Sequence, residues 1–490
     1  MARQQRLEKG VAKWLTGHYT PQPRMGKTLV IAEKPSVATD IAKVLKAKRD
    51  KSKDFFENDD YVISSAVGHL LQLAVPEKYD IKRGKWSFDK LPHLPPQFTL
   101  QPIAKSEARL KVLKRLMKRK DVDMLVNACD AGREGELIFR YIIQHAKARH
   151  PIQRLWLRSM TPTAIRDGFA QLRSDEDMLP LAAAATCRSE ADWLVGINGT
   201  RAMTAFNSKG GGFFLTTVGR VQTPTLAVVV EREQAIKDFV PRDYWEVHAT
   251  FQAEAGEYEG RWFDENFKKA EDDAHQRAER IWEQDKAEGL RGKCAGQPGE
   301  VTQESKQSKQ AAPLLFDLTT LQREANAKFG FSARNTLGIA QALYERHKVL
   351  TYPRTDSRCL PEDYVGTVKQ TLESLGQARY GKIASDVLKN DWVHGGNKKV
   401  FNNAKISDHF AIIPTLKPAP GTLKEQEQKI YDLVAKRFIA VFYPSAEFLV
   451  TTRITRVEGE PFKTEGKVLV KPGWLTVYGR DQTLKGAGHL

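Results

Sequence analysis

Met124-Leu125-Val126-Asn127-Ala128-Cys129-Asp130-Ala131-Gly132-Arg133-Glu134-Gly135-Glu136 decides how the first third of this chain folds. Met124–Ala128 reads as a buried strand, a short apolar run bounded by turn residues. It ends at Asp130, turns through glycines that permit a tight bend, and feeds a helix from Gly135 to about Ala148. The same order occurs earlier. Thr28–Ala32 is a short apolar run ending in Glu33, and Pro35 with Ser36 starts a helical pattern over Ser36–Lys46. Between them Lys105–Lys120 is amphipathic, with Leu110, Leu113, Leu116 and Met117 on one side. Its basic face is read as a solvated surface rather than a binding groove. This alternation from Lys27 to about Arg158 predicts a parallel sheet covered by helices.

Both acids, Glu33 and Asp130, then fall where a strand ends, the place where open parallel sheets put their active crevice. Glu134 follows Asp130 by one helical turn. Carboxylates so placed suit Mg²⁺, which takes hard oxygen ligands and keeps several waters. Lys34 is placed to meet a phosphate. For Asp130 alone a capping role at a helix N-terminus is as good a reading; with Glu33, Lys34, Glu134 and Arg133 beside it, the site reading outweighs that. Gly26-Lys27-Thr28 resembles the end of a phosphate-binding P-loop, but the required first glycine falls on Pro21, and the run precedes its strand instead of following one. No ATP site is expected.

The whole chain has 490 residues, room for about three domains. Lysine and arginine number 77 against 60 acids, a net charge of +17 that favours a polyanionic partner. Charge alone does not separate nucleic acid from an acidic membrane, but no apolar run approaches bilayer-spanning length. The N-terminus lacks the apolar core of a secretion signal, so a cytoplasmic protein is expected. Cys129, Cys187, Cys294 and Cys359 are scattered without a CxxC pair. That argues against zinc and against a disulfide framework, and for reduced, largely buried thiols. Residues 1–26 read as a basic extension, with Met25 as a second candidate start.

Further along, residues 160–235 are mostly helical in pattern, 244–265 alternate as strands do, and 268–290 read as a charged surface helix. Residues 292–312 suggest a strand and a linker. A helical block is expected over 314–419, a helix over 423–442, and strands over 447–478. Inside the helical block lies Leu350-Thr351-Tyr352-Pro353-Arg354-Thr355-Asp356-Ser357. A phenol is a poor nucleophile while protonated, its ordinary pKa being about 10. A neighbouring cation lowers that value and holds the phosphate under attack. Arg354, with its planar fork, suits both tasks.

Taken together, separated motifs resemble those of type IA DNA topoisomerases, most closely the bacterial topoisomerase III branch. Leu29–Ser36 and Asp130–Glu136 look like the two halves of a TOPRIM domain. Asp192–Arg201 and Val218–Leu226 look like the family's DNA-binding helical region. Thr351–Ser357 looks like the active-site tyrosine motif, and Ser407–Thr415 like the nearby histidine motif. The resemblance covers about residues 27–480.

It implies a multidomain α/β and α+β fold, in which a TOPRIM parallel-sheet domain joins helical and β-rich domains in a toroid, complete or incomplete. The expected boundaries are 1–26 for the extension, 27–160 for TOPRIM and 161–235 for the first part of a helical DNA-binding gate domain. Next come 236–312 for the first part of a β-rich hinge domain, 313–420 for the helical domain carrying the tyrosine, and 421–490 for a hinge and gate return segment that stops early.

The function implied is ATP-independent cleavage of single-stranded or locally unwound DNA through a 5′-phosphotyrosine, strand passage and religation. Tyr352 would be the nucleophile. Arg354 and Lys34 would stabilise the crowded phosphate, Glu33 would protonate the leaving oxygen, and His409 would contact phosphate. DNA contacts are expected from His69, Arg188, Arg201, Gly219, Arg220, Val221, Gln222 and Arg354. One Mg²⁺ is expected on Glu33, Asp130 and Glu134, with no zinc. Trp193 is read as a core aromatic ahead of a base-stacking one. Two departures from the family pattern keep an alternative open, a single-strand-binding remnant that passes no strand. The acidic motif, often DxDxE, has Gly132 at its middle position, and the chain stops soon after Lys471-Pro472-Gly473-Trp474. A helicase partner suits the family, and the sequence identifies none.

Overall fold

Leu29, Val30, Ile31 and Ala32 are completely buried, and they alternate between two separate apolar clusters, Leu29 and Ile31 in one, Val30 and Ala32 in the other. That is what a strand covered on both faces requires. In the computed structural model, which describes residues 26–79, 86–269, 273 and 275–479, this strand is β1 (Lys27–Ala32). The expected extension over residues 1–26 lies outside the described residues except for Gly26, as do residues 480–490.

The chain divides into two units, Met1–Ala227 and Val228–Leu490, the division falling inside the helix Gln222–Lys237. In the first unit β2 (Lys48–Arg49), β3 (Phe56–Glu57), β4 (Tyr61–Ser65), β7 (Val122–Ala128), β8 (Ile152–Arg154) and β9 (Arg173–Ser174) join β1 in a seven-stranded sheet of order β2-β3-β4-β1-β7-β8-β9. β5 (Leu71–Leu73) and β6 (Leu100–Pro102) form a separate pair. The four central strands β4, β1, β7 and β8 run parallel. The all-parallel expectation fails towards the edges, where β2 with β3, β3 with β4 and β8 with β9 pair antiparallel. β2, β3 and β4 follow one another through short connections that need no crossover helix, whereas β9 comes after the helix Pro162–Ala170. The helices Glu107–Met117 and Arg133–Ala146 cover one face, and Pro35–Val44 and Pro162–Ala170 the other. Each fully buried aliphatic side chain here contributes roughly 1.5–3 kcal/mol. The long helix Asp175–Asn207 follows, capped by Ser174, whose hydroxyl accepts from the Asp177 N–H.

The second unit has a sheet and a helical core. Its five strands are β10 (His248–Ala253), β11 (Gly256–Trp262), β12 (Gly299–Gln310), β13 (Ala446–Val457) and β14 (Glu460–Lys471), in the order β10-β11-β14-β13-β12. The helical core gathers Leu318–Phe329, Ala333–Ala342, Val365–Gly376, Gly381–Lys389 and Glu425–Ala440 around Leu321, Leu343, Leu372, Phe401 and Phe438.

Three local expectations are corrected. Within 268–290 the helix covers only Gln284–Cys294. Before it the described residues form turns and irregular chain that bury Ile281, whose backbone bridges Trp245. After Lys471 the chain turns through the short helix Gly473–Tyr478 rather than continuing as strand. Cys129 and Cys359 are buried, but Cys294 is half-buried and Cys187 exposed.

Candidate active site

At the carboxyl ends of β1 and β7 the structure joins three of the expected residues. Register pairs Ala32 with Ala128, so the loops that follow lie side by side. The Lys34 ammonium contacts Asp130 Oδ2 at 2.5 Å and Glu33 Oε1 at 3.7 Å, all three side chains being largely buried. The chain after β4 joins the same end. Gly68, at φ +80°, donates to the Glu33 carbonyl at 3.3 Å, and His69 Nε2 then lies 3.3 Å from the exposed carboxylate of Glu134.

The Asp130 loop is held in shape by groups that sequence reading did not single out. Arg154, on β8 and almost wholly buried, donates to the Asp130 carbonyl at 2.6 Å and to Asn127 Oδ1 at 2.6 Å. Glu136, equally buried, accepts from Asn127 Nδ2 at 2.9 Å and from Arg140 Nε at 2.8 Å, and its carboxylate lies 3.7 Å from Arg154 Nε. Burial pulls the Arg154 guanidinium below its usual pKa, so the buried carboxylate beside it is what keeps the charge tolerable. A Cβ on Gly135 would sit 2.1 Å from the Asp130 carbonyl oxygen, so only glycine allows the loop to close on the helix. Gly132 is different. Its φ of −165° is ordinary extended backbone, so conformation does not demand glycine there. Burial pushes the Cys129 thiol well above its ordinary pKa, which makes it an inert neighbour.

The metal expectation has a mixed outcome. Glu33 and Asp130 are adjacent, but Lys34 lies between them, and Glu134 turns to His69. Among the described residues no three His, Cys, Asp or Glu side chains form a group able to hold an ion. The oxygen-only donor chemistry of Glu33 and Asp130 still fits Mg²⁺, which needs only one or two carboxylates and completes its shell with water.

The two helical motifs also pack together in the first unit. The Val218 N–H donates to Thr200 Oγ1 at 3.0 Å, and Arg220 Nε meets Asp192 Oδ1 at 2.5 Å. A Cβ on Gly199 would come within 2.8 Å of Val218 Cγ1. The Gly219 N–H donates to Thr223 Oγ1 at 3.1 Å, while Val221 and Gln222, at the start of the next helix, are exposed. Arg188 is half-buried. Arg201 is buried, with Nη1 2.8 Å from His93 Nε2, Nη2 3.3 Å from Glu77, and its guanidinium over Trp86. Trp193 is half-buried and donates to the Ala74 carbonyl at 2.9 Å, edge-on to Phe98, as the core reading expects.

In the second unit, the tyrosine and histidine motifs meet. The Thr351 N–H donates to the Ile413 carbonyl at 3.0 Å, and its hydroxyl both donates to the Ala411 carbonyl and accepts from the Ile413 N–H. The Thr355 hydroxyl donates to the His409 carbonyl at 2.8 Å. Between these anchors the Tyr352 ring lies 4.4 Å from the His409 ring, centroid to centroid, at 59°, with Tyr344 edge-on at 5.3 Å. Arg354 is exposed and only loosely tied, 3.5 Å from Gln341 Oε1. Arg358, which sequence reading passed over, binds Asp317 Oδ2 at 2.6 Å and so fixes the segment to the cap of the helix Leu318–Phe329.

This pairing of the tyrosine and histidine motifs accompanies a match to known families. A DNA topoisomerase family model covers residues 176–487. The chain belongs to that family. A Toprim domain model matches residues 28–160, a class of domain that generally binds Mg²⁺. Curated relatives include DNA topoisomerase 3 of Bacillus cereus, 43% identical over 457 residues, which are 93% of this chain and 60% of the relative. DNA topoisomerase 3 of Bacillus subtilis is 42% identical over 474 residues, 94% of this chain and 62% of the relative. The expected resemblance to the topoisomerase III branch is thus borne out, although this topoisomerase chain spans only about three-fifths of those relatives' length. Among solved structures, full-length topoisomerase I from Thermotoga maritima shares the fold, with a TM-score of 0.60 at 21% identity, covering 94% of this chain and 69% of that one. Among the described residues no helix is long and apolar enough to cross a membrane.

Proposed function

We propose that this chain is an ATP-independent type IA topoisomerase that cleaves single-stranded or locally unwound DNA. The observation that carries the reading is the placing of Tyr352 against His409, beside an exposed Arg354. The phenol oxygen attacks a backbone phosphorus, the bond from phosphorus to the 3′-oxygen breaks, and a 5′-phosphotyrosine remains. One phosphoester replaces another, so the step is near energy-neutral and no ATP is consumed.

Arg354, His409 and Lys34 hold the phosphate oxygens as their charge grows; the phenol proton passes to solvent, and Glu33, protonated beforehand, gives its proton to the leaving 3′-oxygen. Glu33 and Asp130, with Glu134, would hold Mg²⁺, which would supply positive charge to help retain the 3′ end for religation. His69, Arg188, Gly219, Arg220, Val221 and Gln222 contribute to the path of the strand, mainly through its phosphates. Arg201 joins that path only by leaving Glu77 and His93. Acting on the cell's DNA, the protein works in the cytoplasm.

Plasmid relaxation tests the whole cycle. Negatively supercoiled plasmid, incubated with the protein and Mg²⁺ but without ATP, is expected to relax. Cleavage without relaxation would instead favour a chain that grips and cuts a single strand but passes none.

A further inference from the structure

Besides the tyrosine and histidine cluster, the second unit carries an alternating ladder of cations and aromatic rings. The Arg242 guanidinium lies 4.3 Å from the Trp282 ring centre, Trp282 meets Tyr244 at 6.0 Å and 61°, and the Arg280 guanidinium covers Tyr244 at 4.1 Å. With Phe239 these side chains line a cavity of about 230 Å³. That is several times the roughly 30 Å³ share of one water, and room enough for a flat heterocycle. The ladder is rigidly mounted, because Trp245 and Ile281, the immediate neighbours of Tyr244 and Trp282, exchange backbone hydrogen bonds at 2.8 and 2.9 Å.

A ladder that served only to stabilise the fold would bury its rings and satisfy its donors. Here Phe239 is 59% exposed and Tyr244 43% exposed. Arg280 donates from Nη1 to the His275 carbonyl at 2.8 Å, yet its buried Nε has no hydrogen-bond partner. Besides its contact with Trp282, Arg242 makes a half-exposed ion pair to Asp273 at 3.0 Å, a kind of contact worth little and easily exchanged for a phosphate. Aromatic faces interleaved with arginines are what a single strand recognises, by stacking of bases and by charge along the backbone. An adjoining cavity of about 250 Å³ shares Arg280 and Trp282, but Asp264 and Glu283 line it, so the phosphate belongs on the Arg242 side.

We propose that Tyr244, Trp282, Arg242 and Arg280 form an accessory stacking subsite for single-stranded DNA, taking a base against the rings and its phosphate on Arg242 and Arg280. This rests on the reading of the chain as one that acts on single strands.

The test uses the full chain carrying Tyr352→Phe, which binds without cutting. It is irradiated with a long oligothymidylate bearing iodouracil, and the crosslinked peptides are mapped by mass spectrometry. Crosslinks at Tyr244 or Trp282 are expected. In a second measurement Tyr244→Leu/Trp282→Leu is expected to raise the Kd for the oligothymidylate about tenfold with an unchanged far-ultraviolet circular dichroism spectrum; should that variant unfold, the crosslink on the otherwise unaltered chain decides. DNA that binds but crosslinks nowhere between Phe239 and Trp282 overturns the subsite, while a covalent adduct formed by the wild-type chain leaves the topoisomerase reading standing. Crosslinks here without any adduct keep the subsite and sink the cleavage reading. No binding of the oligothymidylate overturns both.

Discussion

The rings of Tyr352 and His409 stand 4.4 Å apart although 57 positions separate them in the sequence. The contact is made by short bridges, Leu350 to Pro414 and Thr351 to Ile413, and by the Thr355 hydroxyl on the His409 carbonyl. The backbone thus fixes where the histidine sits, and in the proposed function its imidazole contacts the phosphate that Tyr352 attacks. His409→Ala should therefore slow formation of the DNA adduct about a hundredfold while shifting the thermal midpoint only slightly. Rates of adduct formation measured beside melting curves separate the two effects; a large loss of stability with an unchanged rate would make His409 a packing residue.

Lys34 competes with any cation for Asp130. Lys34→Met removes the ammonium that lies 2.5 Å from that carboxylate. Mg²⁺ should bind this variant roughly tenfold more tightly in the absence of DNA, as read by titration calorimetry, while cleavage is lost with the phosphate contact. Weaker Mg²⁺ binding would mean that the carboxylates do not form the cation site.

Gly135 packs its Cα against the Asp130 loop with no room for a methyl group. Gly135→Ala should cost about 3 kcal/mol, in the range of overpacked cores, in a urea unfolding curve. A neutral result would show that the loop yields easily and that its shape is not fixed by the helix.

How much of this was legible in the sequence depended on distance along the chain. The Asp130 loop and its helix are contiguous, so the apolar run, the acid and the glycines announce a strand, a turn and a helix together. Arg154 lies 24 residues beyond Asp130, and nothing local separates it from the surface arginines around it; its role appears only when β8 is placed beside β7. Arg201 sits in a motif that suggests DNA, yet its guanidinium is taken up by Glu77, His93 and Trp86, three residues more than a hundred positions upstream. The segment before Gln284 reads as helical because its charges are evenly spaced. The burial of Ile281 and its bridge to Trp245 override that local preference.

Acid should weaken the first unit at an identifiable pair. The Arg119 guanidinium, helped by Lys27, holds the Glu57 carboxyl below its ordinary value of 4.5. A carboxyl lowered on folding contributes stability above its unfolded pKa and loses it as pH falls through the folded one. Wild-type stability should thus fall below about pH 4.5, and Glu57→Gln should flatten that part of the curve. Parallel curves for the two proteins would contradict the assignment.

The central claim is that the Tyr352 phenol becomes bonded to DNA. A single-stranded oligonucleotide labelled at its 3′ end, incubated with the full chain and Mg²⁺ and then denatured, gives the most direct measurement. The label should stay on the protein, mass spectrometry should place the nucleotide on Tyr352, and Tyr352→Phe should carry none. Label absent from the wild-type chain, or present on both proteins alike, would contradict the account.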